Sequence, residues 1–139
     1  INQSGLGDTA QAFDQARSGD TEVFAAFTVR EWAGLLRQTV DPGFYRGKPV
    51  DVVGFVAADP AEDDIFYVTR FVVSCCSVDA QPVGIPVTLP GWQQQWPEEG
   101  WVRVTGEFTP NQTPGSAHPL VVDIDSIEPT EAPNEPYLF

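Results

Sequence analysis

Apolar residues recur at helical spacing in one early segment of the chain, TVREWAGLLRQTV. Thr28 is followed three positions later by Glu31, which is the arrangement of a capping box at a helix start. The apolar residues that would share one face of the helix are Val29, Trp32, Ala33, Leu36 and Val40. The pattern therefore predicts an amphipathic helix that packs on a larger body and ends at Asp41-Pro42-Gly43.

Beyond this helix the apolar residues gather in short segments that are separated by proline, glycine and acidic residues. The predicted strands are KPVDVVGFVAADP, IFYVTRFVVSCC, residues 82–89, WVRVTGEFTP and HPLVVDID. In the fourth segment Val102, Val104 and Phe108 alternate with polar residues, as in a strand with one buried face. Gly54 lies inside the first strand and predicts a bend there.

These segments predict an all-β fold, a five-stranded Greek-key barrel of OB type with an N-terminal amphipathic helix. A small β-sandwich is the alternative, because the same strands could form one. We expect residues 28–139 to be a single domain with a proline-rich, acidic tail from Glu128 onward. Residues 1–27 are polar and lack periodicity, which predicts a linker or a weakly held arm.

The net charge of the chain limits the kinds of molecule that we expect it to bind. The 139 residues include 20 Asp and Glu against seven Lys and Arg, for a formal net charge of −13. Such a surface repels phosphate backbones and anionic membrane surfaces, so nucleic acid is not an expected partner. Cations, including divalent metal ions, are the ligands that this field attracts.

The two cysteines of the chain, Cys75 and Cys76, are adjacent. Neighbouring Cα atoms lie about 3.8 Å apart, below the usual disulfide range, so a bridge between them is disfavoured. Three interpretations stay open: buried structural thiols, thiolate metal ligands, or a redox-active pair. For the metal interpretation, a zinc site would combine Cys75 and Cys76 with Asp79 and the sole histidine, His118.

Two further groups have alternative interpretations. Asp59, Glu62, Asp63 and Asp64 crowd into one turn, which favours a solvated hairpin tip over weak calcium binding. The neighbouring tryptophans Trp92 and Trp96 favour core packing over a ligand platform. Together with Arg70, they are the candidate residues of a binding surface.

One stretch resembles a known family. The pattern Arg-Phe-x-x-x-Cys-Cys-x-x-Asp-Ala is matched here by Arg70, Phe71, Cys75, Cys76, Asp79 and Ala80. With the helix segment, WVRVTGEF and the closing APNEPYLF, it resembles the C-terminal domain of the YcgQ-like family of uncharacterised bacterial membrane proteins, and within it the actinobacterial branch. The resemblance covers residues 28–139.

The resemblance implies a location and a partner. Family members look like two-span inner-membrane proteins in which this domain follows the spans, accompanied by a permease, and some are associated with zinc-responsive regulation. On this basis the spans would precede Ile1, and residues 1–27 would link them to the domain. An extracytoplasmic side also suits the presence of a single lysine, Lys48, because retained cytoplasmic loops tend to be basic.

The expected function is therefore a non-enzymatic, extracytoplasmic binding module. It would bind a permease or zinc through the surface around Arg70, Cys75, Cys76 and Asp79. The thiolates would be soft ligands and Asp79 a hard one, and Arg70 would hold Asp79 in place or lower the pKa values of the thiols. Thiol redox chemistry at the cysteine pair is the alternative from the enzyme class. Nucleic-acid binding by analogy with OB folds is a further alternative that the charge disfavours.

Overall fold

The structure is a computed structural model that describes residue 24, residues 26–73 and residues 80–138. Within these ranges the elements are α1 (Val29–Gln38), α2 (Pro42–Tyr45), β1 (Val50–Ala58), β2 (Ile65–Val72), β3 (Gln81–Thr88), a 3-10 helix (Trp92–Gln94), β4 (Trp101–Pro110), β5 (Leu120–Pro129) and β6 (Tyr137–Leu138). None of the helices so described has the length and apolar character needed to cross a membrane.

The start of α1 is as predicted. The backbone amide of Thr28 donates to Glu31 Oε1 at 2.6 Å, and the Thr28 hydroxyl accepts from the amide of Arg30 at 3.2 Å. These bonds satisfy backbone donors that have no partner inside the helix. The predicted capping box is therefore confirmed.

The end of α1 differs from the prediction. The helix ends at Gln38, so Val40 lies beyond it and is 49% exposed rather than on the buried face. Asp41 then begins α2, because its carboxylate accepts from the amide of Gly43 at 3.0 Å. Asp41-Pro42-Gly43 thus begins a second helical segment instead of ending the first.

The five longer strands pair in a closed circuit. β1 is antiparallel to both β2 and β4, β2 is antiparallel to β3, and β4 is antiparallel to β5. A short parallel pairing of β3 with β5 completes the order β1–β2–β3–β5–β4 and back to β1. The predicted all-β class is confirmed.

Gly54 lies where β1 passes from one partner to the other. Residues 50–55 pair with β4, whereas residues 55–58 pair with β2. A Cβ atom at Gly54 would lie 2.7 Å from the carbonyl oxygen of Thr69, too close for any other residue without a shift of the backbone. The glycine predicted to bend this strand is therefore required by the close approach of β2.

The core is closed at one end by α1 and α2. The ring of Trp32 packs 5.6 Å from that of Phe108 on β4, and Tyr45 packs 5.2 Å from Phe108. The alternation predicted for β4 is confirmed, because Val102, Val104 and Phe108 are all buried.

A sixth strand was not predicted. β6 lies parallel to the second half of β2, where Phe71 pairs with Tyr137 and Val72 with Leu138. The amide of Val73 adds a bond to the carbonyl of Leu138 at 2.8 Å. The proline-rich tail therefore returns to the sheet.

Candidate functional site

A group of polar side chains converges where the β1–β2 turn meets the loop between β4 and β5. This polar cluster comprises Asp59, Glu62, Tyr67 and His118. Asp59 directly follows β1, Glu62 lies in the turn, Tyr67 is on β2, and His118 lies two residues before β5. Residues distant in sequence thus meet at one end of the sheet.

Three atoms of the polar cluster form a close triangle. His118 Nε2 lies 2.8 Å from Asp59 Oδ2 and 3.0 Å from the Tyr67 hydroxyl, which donates to Asp59 Oδ2 at 2.8 Å. Glu62 Oε2 is 3.9 Å from His118 Nε2. The Asp59 side chain is only 5% exposed, whereas those of His118 and Glu62 are 19% and 18% exposed. The polar cluster is therefore enclosed on the Asp59 side and reachable from solvent on the other.

The local sequence fixes the orientation of Asp59. Its Oδ1 accepts from the backbone amides of Ala61 at 2.8 Å and Glu62 at 3.0 Å. This is the bonding of an Asx turn, which the Asp59-Pro60 pair favours. Because Oδ1 is occupied by the turn, Oδ2 is the oxygen that faces His118 and Tyr67.

Trp92 holds the β1–β2 turn through a hydrogen bond. Its indole Nε1 donates to the carbonyl of Asp63 at 2.9 Å, and the amide of Leu89 donates to the carbonyl of Asp64 at 2.8 Å. Trp92 itself is 3% exposed and packs on Phe66 in the core. The turn that carries Asp59 and Glu62 is thereby tied to the segment after β3.

Asn111 and Ser116 hold the loop that supplies His118. The Asn111 side-chain amide donates to the carbonyl of His118 at 3.0 Å and to the Ser116 hydroxyl at 2.8 Å. That hydroxyl also accepts from the amide of His118 at 3.1 Å. The amide of Ala117 donates across to Glu62 Oε2 at 3.3 Å, so the loop and the turn are linked directly.

These contacts shift the pKa values of two groups in opposite directions. Burial acts to raise the pKa of Asp59, but hydrogen bonds with His118, Ala61, Tyr67 and Glu62 outweigh it and lower the pKa to about 2. Burial, and then the bond to Asp59 with the charges of Asp59 and Glu62, raises the pKa of Tyr67 to about 12. At neutral pH the cluster therefore holds an ionised carboxylate and a phenol that donates to it.

A second buried charge, that of Arg70, lies on β2, the strand that carries Tyr67. Arg70 is 7% exposed, and its guanidinium donates to the carbonyls of Pro136 at 3.1 Å, Glu135 at 3.2 Å and Val53 at 3.4 Å. It also lies 5.5 Å from the centre of the Trp101 ring, a cation–π distance. Burial lowers the pKa of Arg70. Arg70 thus fixes the C-terminal tail against the sheet.

A group of aromatic rings lies where the C-terminal tail meets the sheet. This aromatic surface consists of Phe55, Phe71, Trp101 and Tyr137. Phe55 lies 5.5 Å from Phe71 and 5.6 Å from Trp101, and Phe71 lies 6.3 Å from Tyr137. Phe71 and Tyr137 are 39% and 43% exposed, so the surface is apolar and faces solvent.

The sequence of residues 29–139 matches the family described as the DUF1980 C-terminal domain. The match covers all the strands and both helices described above. The chain belongs to this family.

A protein of Streptococcus mutans serotype c (strain ATCC 700610 / UA159) is a relative of this chain. It is provisionally named a two-component membrane permease complex subunit and is 25% identical over 99 residues. The match covers 70% of this chain but 36% of that protein. The shared region is thus about one third of the longer relative.

Among solved structures, OBody AM2EP06 bound to hen egg-white lysozyme contains a similar chain. It is 20% identical, with a TM-score of 0.39, and the match covers 65% of this chain and 85% of that chain. At this TM-score the likeness carries no argument about fold or function.

The predicted metal ligands are placed only in part. Cys75, Cys76 and Asp79 lie outside the described residues, so the zinc site that combines them with His118 stays a prediction. His118 is described, and its imidazole faces Asp59, Glu62 and Tyr67. The predicted contact of Arg70 with Asp79 likewise falls outside the described ranges.

Of the predicted binding residues, Trp92 and Arg70 have buried side chains, and Trp96 is half-buried against the core. Trp92 bonds to the β1–β2 turn and Arg70 bonds to the C-terminal tail. Both residues therefore position other residues that are more exposed. Their direct contact with a partner stays a prediction.

Sequence reasoning missed the association of Asp59 and Glu62 with His118. The solvated-tip interpretation is correct for Asp63 and Asp64, which are exposed, but wrong for Asp59. The Asp59-Pro60 pair was the available signal, because an Asx turn fixes where the free carboxylate oxygen points. The aromatic surface was missed because β6 was not predicted.

Proposed function

We propose that this domain is a partner-binding module of a membrane permease complex. The family assignment and the name of the Streptococcus mutans relative support this proposal. The docking site in the proposal is the aromatic surface, and its occupant is the permease subunit. The observation that carries the proposal is the exposure of Phe71 and Tyr137 side by side on β2 and β6.

Composition of the aromatic surface favours a protein partner. Aromatic residues and arginine are enriched at the centres of protein interfaces, where they bury large areas. Phe71 and Tyr137 continue inward to Phe55 and Trp101, so the exposed rings belong to one contiguous group rather than to isolated positions. Isolated exposed apolar residues need no explanation, but adjacent ones do.

The surface is held in place before a partner binds. Arg70 bonds to the carbonyls of Glu135 and Pro136, immediately before Tyr137. Tyr137 is in turn paired with Phe71 in the sheet. Because these rings are already ordered, binding would cost little conformational entropy.

The finer features of the proposal are an OB-like Greek-key barrel and an extracytoplasmic location. The circuit of pairings from β1 to β5 supports the barrel, and the single lysine supports the location. The motif around Arg70 supports placement in the actinobacterial branch of the YcgQ-like proteins. The proposed module is non-enzymatic, and metal handling or redox chemistry at Cys75 and Cys76 remains a prediction from the sequence.

Site-specific photocrosslinking in the full-length membrane protein tests the docking site. A photoreactive phenylalanine at position 71 or 137 should crosslink to an integral-membrane permease, because both rings face solvent. The matched control is the same substitution at Glu107, an exposed residue on β4 away from the aromatic surface. Equal crosslinking from position 107, or none to a membrane protein from position 71, would overturn the proposal.

A further inference from the structure

The polar cluster brings together three groups of the kinds that bind transition metals. One atom each from Asp59, Glu62 and His118 lies within 4.8 Å of the other two. The set is mixed, because it joins an imidazole from the β4–β5 loop to two carboxylates from the β1–β2 turn. We infer that it binds a divalent transition-metal ion of the zinc class through Asp59 Oδ2, Glu62 Oε2 and His118 Nε2. This inference does not rest on the proposed permease partner.

The two distances from His118 Nε2 to the carboxylates are close to those of a metal site. Zinc bonds to nitrogen and oxygen are about 2.0–2.2 Å, so two ligands on one tetrahedral ion lie about 3.3 Å apart. His118 Nε2 is 2.8 Å from Asp59 Oδ2 and 3.9 Å from Glu62 Oε2. Each separation differs from the required value by only about 0.5 Å, which side-chain rotation can supply.

The donor types select the class of ion. Imidazole suits zinc, copper, iron and nickel, whereas calcium and magnesium prefer a shell made only of oxygen. Calcium also takes six to eight oxygen ligands. His118 therefore favours the zinc class over the weak calcium site that the acidic turn suggested.

Other contacts already orient the ligands. Asp59 Oδ1 is held by two backbone amides, which directs Oδ2 into the cluster. The Tyr67 hydroxyl donates to the same Oδ2 at 2.8 Å, as outer partners of metal-bound carboxylates do. The amide of Ala117 keeps Glu62 beside the histidine loop. The partial exposure of His118 and Glu62 leaves a path for the ion and a position for water as a fourth ligand.

A purely structural role is the competing explanation, since Asp59, Tyr67 and His118 bond to one another without a metal. Glu62 separates the two explanations, because its carboxylate is 3.9 Å from His118 Nε2 and outside that triangle. A structural triangle does not need the Glu62 charge, whereas a three-ligand site does. Glu62→Gln keeps an oxygen that can accept from Ala117, so its fold should be preserved.

Calorimetric titration of the 139-residue chain with zinc alone tests the inference. We expect one equivalent to bind, and Glu62→Gln and His118→Gln to raise Kd about tenfold or more. Asp125→Asn is the matched control, because it removes the same charge from an exposed position on β5. It should leave Kd unchanged, and millimolar calcium should not compete.

The double variant Cys75→Ser/Cys76→Ser distinguishes this site from the cysteine-based one. Zinc binding that survives in the double variant and fails in Glu62→Gln supports the polar cluster. Binding that fails in the double variant and survives in Glu62→Gln overturns the inference, as does the absence of binding to the unaltered chain. If His118→Gln does not fold, Glu62→Gln decides the question alone.

Discussion

The polar cluster and the Arg70 site each include a residue of β2, but their hydrogen bonds are of different kinds. At Tyr67, near the start of β2, side chains bond to side chains: Asp59, Tyr67 and His118 satisfy one another. At Arg70, three residues later, a charged side chain bonds to backbone carbonyls of β1 and the tail. No carboxylate pairs with Arg70 among the residues that the structure describes.

The two sites differ in which groups lose a hydrogen-bond partner when one side chain is removed. In the polar cluster, loss of Asp59 would leave the part-buried Tyr67 hydroxyl and Glu62 amide without their acceptor, while the exposed Ala61 amide could bond to water. At Arg70, loss of the guanidinium would free carbonyls of Glu135 and Pro136 in a tail that solvent can reach. Because unsatisfied buried groups cost more than hydrated ones, the polar cluster should be the more sensitive site.

Asp59→Ala should have the largest effect on stability. The substitution removes the acceptor for Ala61, Glu62 and Tyr67, so we expect the free energy of unfolding to fall by about 3 kcal/mol. Urea unfolding at neutral pH measures it. Asp64→Ala is the control, because that side chain is exposed in the same turn and should change stability by about 0.5 kcal/mol or less. Equal losses in both variants would contradict the prediction.

Arg70→Met should have a smaller effect that is concentrated in the tail. We expect a loss of about 2 kcal/mol from the missing charged hydrogen bonds, partly offset by the apolar replacement. The amide of Val73 donates to Leu138, so its hydrogen exchange should accelerate when β6 detaches.

The control for Arg70→Met is Arg103→Met on β4. Arg103 is exposed and pairs with Asp51 at 2.7 Å, so its removal should affect neither global stability nor Val73 exchange appreciably. If Val73 stays protected in Arg70→Met, then the strand pairing holds the tail without Arg70, and the aromatic surface does not depend on that residue.

Neither site follows from the local sequence, although other features of the fold do. The inward residues of β4 and the capping box at Thr28 follow from local spacing, and the structure confirms both. β6 has two residues and no alternation. Arg70 bonds to the carbonyls of Glu135 and Pro136, just before β6, across 65 and 66 positions. Nothing local indicates such a strand, because its partners, β2 and Arg70, are distant in sequence.

The polar cluster also cannot be predicted from local sequence, even within a single turn. Asp59 and Asp64 belong to one run of acidic residues, and local charge treats them alike. Their burial differs because His118, 59 positions away, lies over Asp59. The sequence predicted the presence of carboxylates and a lone histidine, but the closure of the sheet decides which of them meet.

Tyr67→Phe should have the smallest effect, and the effect should depend on pH. Loss of the hydroxyl removes one donor to Asp59, so we expect about 1 kcal/mol less stability at neutral pH and a higher pKa for Asp59. In the unaltered chain that pKa is lowered from 3.8 to about 2. A lowered folded-state pKa stabilises the fold above the unfolded value, and this contribution is lost as the pH falls through the folded value.

The difference in the free energy of unfolding between the unaltered chain and Tyr67→Phe should therefore be largest above pH 3.8. It should shrink as the pH falls toward about 2. Urea unfolding across this range measures it, with Tyr137→Phe as the control for loss of an exposed phenol hydroxyl. A difference that stays constant across the range would mean that the Tyr67 hydroxyl stabilises the fold without acting on the ionised Asp59. The polar cluster would then resemble the Arg70 site, where a side chain contributes through neutral acceptors instead of through a paired charge.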